Sequence, residues 1–203
     1  MHPHTMSTTK YTDAEVYSVR KDHEWATIVL RCWSRPANVG TPHERTYYCG
    51  EIIINSTFGC WANVWTACGE PFKAFLLDAE FDYVFTKFMG TKLQVWDGEG
   101  SVKSLRRLLL EYRRIGDLDK EEARRLWEEI AANEYELESS SNDFVECANR
   151  IADDIDTRNV YRLLSEPWEL TTTQHDSQAV GFWRELWPEF TQALRAEVEL
   201  VPA

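Results

Sequence analysis

Apolar residues follow two periods along the chain, alternation in the first third and helical spacing in the remainder. Residues 15–21 and 24–34 alternate around Asp22-His23 and predict two strands; Trp25, Thr27, Val29 and Leu30 suit a pleated surface. Residues 35–44 carry Pro36, Asn38, Gly40 and Pro42 and predict a loop. Residues 45–55 return to strand, and the run Ile52-Ile53-Ile54 suggests a strand covered on both faces. Turn chemistry at Asn55-Ser56-Thr57-Phe58-Gly59 leads into a fourth strand over residues 60–67. Trp61 and Trp65 lie four apart there, which places both indoles on one face.

Pro71 opens the change of period, at a position suited to a helix start. Phe72, Phe75, Leu76 and Ala79 follow one helical phase, and Phe81, Val84, Phe85 and Phe88 follow another. Two short helices with a break near Asp78 result, and residues 93–96 predict a short strand. Asp97-Gly98-Glu99-Gly100 predicts a hinge and subdomain boundary. Beyond it every periodic segment is helical. Ser101 is the expected cap of a helix striped by Leu105, Leu108, Leu109 and Tyr112, ending at Gly116. Asp119 and Glu122 have capping-box spacing ahead of Ala123, Leu126, Trp127 and Ile130. Further helices are expected through Phe144–Ile155, through Val160–Leu164, and through Val180–Leu194 with a kink or restart at Pro188; residues 171–175 read as a polar connection.

The fold expected is α+β: an N-terminal antiparallel β-sheet packed by two short helices over residues 11–97, then an acidic helical subdomain over residues 101–203, behind a disordered tail at residues 1–10. At 203 residues, 43% hydrophobic with nine Trp, the chain has the apolar mass to bury a core, which excludes general disorder. No apolar run is long enough for a membrane span, and the first residues lack a signal-peptide pattern, so the expected location is the cytoplasm of a host bacterial cell.

A net charge of −12 disfavours direct nucleic-acid binding, which needs a basic surface. The charge is uneven: residues 101–115 carry +4, residues 116–203 carry −13 and residues 1–100 carry −3. Such an acidic face serves solubility or meets a basic partner. The expected contact residues are Glu128, Glu129, Asp153 and Asp154, with Arg106 and Arg113 on the basic helix; those arginines are alternatively expected to pair with Glu121, Glu122, Glu128 and Glu129.

Five cysteines without a C-x-x-C pair read mainly as small buried hydrophobes. A zinc site from Cys32, His43, Cys49 and Cys60 on neighbouring strands is the alternative. Asp78, Glu80 and Asp82 form the densest carboxylate group of the N-terminal half, open to a magnesium reading, with Asp78 capping the second short helix as the simpler one. Phosphate-binding loops and the G-x-S-x-G and H-E-x-x-H motifs are absent. The expectation is therefore a non-enzymatic protein without cofactor or metal.

Residues 51–65 (EIIINSTFGCWANVW), 69–76 (GEPFKAFL) and Asp82-Tyr83 resemble small phage and prophage-encoded accessory proteins of Gram-negative bacteria. The resemblance covers residues 45–90 and rests on Gly59, Trp61, Trp65, Gly69, Pro71, Phe72 and Phe75. It brings no catalytic role. It implies an anti-defence protein, such as an anti-CRISPR, that occupies the basic surface of a host nucleic-acid-binding protein or ribonucleoprotein complex. The alternatives carried forward are a metal-assisted enzyme acting on nucleic acid or nucleotide, and a structural protein that self-associates, as a homodimer for instance, through exposed aromatics.

Overall fold

The structure, a computed structural model, describes residues 9–199; the tail expectation for residues 1–8 lies outside them. In chain order the elements are β1 (Glu15–Lys21), β2 (Glu24–Ala37), β3 (Arg45–Ser56), β4 (Gly59–Cys68), α1 (Phe72–Asp78), α2 (Phe81–Met89), β5 (Gln94–Trp96), α3 (Gly98–Ile115) and α4 (Lys120–Ala132). These are followed by α5 (Glu134–Ser139), α6 (Ser141–Ile155), α7 (Arg158–Leu163), β6 (Thr173–His175), α8 (Ser177–Glu185) and α9 (Trp187–Glu199). The fold is α+β, and the described residues divide into two compact units: residues 9–93 with 176–199, and residues 94–175.

The first unit is built on an antiparallel meander, β1-β2-β3-β4. Alternation gives it one buried face, on which Val19 pairs with Ala26, Ile28 with Ile54, and Leu30 with Ile52. The opposite face carries a row in register across all four strands, Val16, Val29, Ile53 and Ala62. Ile53 is 45% exposed, so the isoleucine run is covered on one face and not on both as expected. Period-2 geometry decides this, because Ile53 must face away from Ile52 and Ile54.

β2 continues through Pro36 to Ala37, where a loop was expected. Pairing with β1 ends at Leu30, so residues beyond it have a strand neighbour on the β3 side alone. A proline lacking its N–H is accommodated on such a local edge.

The buried face is covered by α1, α2, α8 and α9 in a single core. Trp61 meets Phe85 and Phe182 edge-on at 5.1 and 5.3 Å, and Trp65 packs on Phe72 at 5.5 Å. The last two helices therefore belong to the sheet and not to the helical subdomain where the hydrophobic pattern placed them. Periodicity gives a helix its apolar face but not the surface that face meets. The restart expected at Pro188 is present, since α8 ends at Glu185 and α9 begins at Trp187.

The second unit packs α3 to α7 around Leu105, Leu109, Leu126, Ile130, Phe144 and Ile151. Local chemistry sets its helix ends. The Asp119–Glu122 capping box forms with both hydrogen bonds, and Gly116 ends α3 in the left-handed conformation. The expected hinge at Asp97-Gly98-Glu99-Gly100 is instead the first turn of α3. Asp97 is the cap, accepting from Gly100 N, and a Cβ on Gly98 would meet the Glu138 backbone at 2.4 Å. Those glycines serve close packing. Ser101, expected as the cap, is buried and donates to Asp97 O. The expected polar connection contains β6, which pairs with β5.

Candidate functional surfaces

β1, α1 and α9 bring four polar side chains together at the margin of the sheet unit. Lys73 Nζ lies 2.5 Å from a Glu15 oxygen and 2.6 Å from a Glu197 oxygen. The single proton of the Tyr17 hydroxyl has the same two carboxylates as acceptors within reach, Glu15 at 2.6 Å and Glu197 at 2.9 Å. Burial pushes the Tyr17 phenol up, and its two carboxylate acceptors push further in the same direction. Partial burial opposes charge on Lys73, yet the hydrogen bonds to Glu15 and Glu197 prevail and raise its ammonium well above the ordinary range. Burial likewise favours the neutral form of Glu15, but the bonds from Lys73 and Tyr17 hold its carboxyl below the usual 4.5.

Beside this cluster is a mostly apolar pocket of about 370 Å³, bounded by Pro71, Phe72, Ala74 and Val198 with Lys73 and Cys32. Burial pushes the Cys32 thiol up to about 11, so it is protonated at neutral pH and not poised as a nucleophile.

The cluster predicts a pH dependence. Glu15 has a lowered folded value, so its contribution to stability is complete above pH 4.5 and is lost as pH falls through that lower value. The site is largely solvated, which limits the effect to roughly 1 kcal/mol. Denaturant midpoints measured between pH 6 and pH 2.5 should show an acid limb that is shallower in Lys73→Met. Identical limbs in the two proteins would contradict the coupling.

The acidic residues expected to meet a partner sit on two helices of the second unit. Glu128 is exposed on α4, where it pairs with Arg124 at 3.7 Å. Glu129 is half-buried and accepts from Asn133 at 3.4 Å. Asp153 and Asp154 are exposed at the end of α6, and Asp153 accepts from the Tyr161 hydroxyl at 2.9 Å. Among the described residues no ion pair engages Asp153 or Asp154.

Arg106 and Arg113 have separate fates on α3. Arg106 pairs with Glu134 at 2.9 Å and lies over the Trp127 ring at 5.3 Å. It is thus a strut within the helical unit, and its partner is on α5, not among the α4 carboxylates expected. Arg113 is exposed in the last turn of α3, where a cation complements the helix dipole.

Asp78, Glu80 and Asp82 fall across a helix break. Asp78 is the last residue of α1, Glu80 stands at the N-cap position of α2 without a side-chain capping bond, and Asp82 is in the first turn of α2. Asp78 is therefore not the cap expected. Cys32 and Cys49 occupy adjacent register rows, Cys32 opposite Gly50 and Cys49 opposite Trp33, which directs them to opposite faces of the sheet. Cys60 is exposed on β4. Among the described residues no three His, Cys, Asp or Glu side chains converge in a way that could hold a metal ion. No described helix is long and apolar enough to cross a membrane.

Sequence reasoning missed the Glu15–Tyr17–Lys73–Glu197 cluster. Its members come from three segments, with Tyr17 and Glu197 180 residues apart, and no local spacing announces them.

The meander with returning helices and the acidic helical unit together lie within one family match. The chain matches Phage_phiTE_072, a phage family, over residues 6–196, and it belongs to that family. It is a phage protein. The match spans both units and so extends well beyond residues 45–90, which carried the resemblance to phage accessory proteins. No curated protein and no solved structure matches the chain.

Proposed function

We propose that this phage protein is a non-enzymatic inhibitor that binds a host nucleic-acid-handling defence protein, an anti-CRISPR type of activity, through the acidic face of its helical unit. The carrying observation is charge placement. Residues 94–175 hold 19 Asp and Glu against 11 Lys and Arg. Several of the basic groups are engaged internally, as in Arg106–Glu134, Arg150–Glu136 and Arg162–Asp117. The Asp153-Asp154 end of α6 remains an exposed pair of carboxylates, and Glu128 stands exposed on α4. Carboxylates so disposed present the charge that a nucleic-acid-binding surface is built to receive, and complementary fields accelerate encounter.

The reading assigns the action to the host cytoplasm and requires no cofactor. Its test begins with capture of the partner from a bacterial host lysate, with identification by mass spectrometry. The association rate is then measured as salt rises. Glu128→Lys, Glu129→Lys, Asp153→Lys and Asp154→Lys combined should slow association by about tenfold or more and flatten its salt dependence. Folding, followed by circular dichroism, should be little changed. Arg106 and Arg113 reversals should slow association less. Unchanged association in the fourfold variant would sink the reading.

A further inference from the structure

β1 is an edge of the four-stranded sheet, with β2 as its strand neighbour. The two strands join through the two-residue loop Asp22-His23, closed by the Lys21–Glu24 pair. A two-residue hairpin closes on a hydrogen-bonded pair, and antiparallel pairing alternates from there. The backbone N–H and C=O groups of Val16, Ser18 and Arg20 consequently point away from β2. Residues 16–20 line one side of an open groove of about 410 Å³, and Glu189 and Ala193 of α9 line the other. A groove between an open strand edge and a helix receives an extended segment as one more strand of the sheet.

Charge selects the occupant. At the start of β1, two carboxylates, Glu15 and Glu197, meet the single ammonium of Lys73. At its end, two cations, Lys21 at 3.1 Å and Arg184 at 2.8 Å, meet the single carboxylate of Glu185. Asp22 and Glu24 of the hairpin flank that second group, so the complementarity lies in the strand itself: Glu15 stands three residues before Ser18 and Lys21 three residues after it. Such a strand is complementary to itself when reversed.

We propose that β1 pairs antiparallel with β1 of a second copy, about a two-fold axis at Ser18, to form one continuous eight-stranded sheet. In that register Glu15 stands opposite Lys21 of the other copy, Val16 opposite Arg20 and Tyr17 opposite Val19. The outward backbone groups of Val16, Ser18 and Arg20 all find partners. The contact is isologous and closes at two chains. Moving the axis to Val16 or Arg20 removes the Glu15–Lys21 match, so the charges also fix the register.

Sedimentation equilibrium on the full chain tests this. Twice the chain mass of 23.7 kDa is expected for the wild type. Lys21→Glu and Glu15→Lys should each weaken dimerisation at least about tenfold, because like charges then face each other. An equimolar mixture of the two should recover a dimer, since the altered charges are complementary across the two chains. Ser18→Pro removes an outward N–H while leaving the β1–β2 ladder intact, and should give a folded monomer. A wild type that is monomeric at its highest soluble concentration overturns the proposal, even if the edge captures an extended segment of another protein. A dimer that persists in Ser18→Pro overturns it as well, as does failure of the folded charge variants to reassociate when mixed.

Discussion

Phe182→Ala is expected to destabilise the sheet unit by about 3–5 kcal/mol, although Phe182 lies more than a hundred residues beyond the last strand of that sheet. Phe182 is fully buried and touches rings from two directions in the sequence. Its ring centroid is 5.3 Å from Trp61 on β4, 6.2 Å from Phe85 on α2 and 6.3 Å from Trp187 on α9. Truncation removes these contacts and leaves a cavity that a sheet backed by rigid aromatic rings fills poorly. Hydrogen exchange locates the loss. Amides of β2 and β3 should lose protection, whereas those of α3 and α6 should keep theirs, because the two units have separate cores. Unchanged exchange in β2 and β3 would contradict the assignment of α8 to the sheet.

Gly50→Val should be at least as damaging. Gly50 faces the core on β3, and a Cβ there would lie 1.8 Å from Phe72 Cδ1. The Phe72 ring cannot withdraw freely, since it is 2% exposed and stacked on Phe75 at 6.0 Å. Overpacking of a well-filled core costs about 1–3 kcal/mol and more where the neighbour is rigid, so this substitution should fall at or above the upper figure. Gly69→Ala is the matched control, because a Cβ at Gly69 meets nothing within 4 Å. Its effect should stay within about 0.5 kcal/mol. Combining Gly50→Ala with Phe72→Leu should recover part of the loss seen in Gly50→Ala alone, as expected for two residues sharing one volume. Additive effects in chemical denaturation would contradict the clash.

The sequence revealed those features whose causes are local. Alternation and the Asp22-His23 turn delimit β1 and β2 at that hairpin, and Asp119 with Glu122 announces the start of α4. The phase change between Leu76 and Phe81 separates α1 from α2. Features set by tertiary pairing were hidden. Pro36 signals a loop until β3 supplies a partner for one side of β2 only. Gly98 and Gly100 signal a hinge until the Glu138 backbone and Thr172 are seen against them. Short α5 was overlooked because six residues with one buried position, Leu137, show no helical stripe.

The candidate surfaces follow the same division. Charge imbalance is a property of composition, so the acidic character of the helical unit was legible from residue counts. Which charges stay exposed depends on packing. Arg106 is committed to Glu134 and Trp127, whereas Asp154 projects from the end of α6. The opposite charges of Glu15 and Lys21 can be read from the sequence, but their surroundings cannot: Glu197 and Glu185 reach β1 only because α8 and α9 return to the sheet.

Competition with nucleic acid tests the central claim most directly. The captured host partner is loaded with a fluorescently labelled DNA or RNA ligand and titrated with the phage protein, with anisotropy as the readout. The account predicts complete displacement of the ligand, and displacement at least about tenfold weaker for the variant carrying Lys at positions 128, 129, 153 and 154. A ternary complex in which the nucleic acid stays bound, or equal displacement by the wild type and that variant, would contradict it.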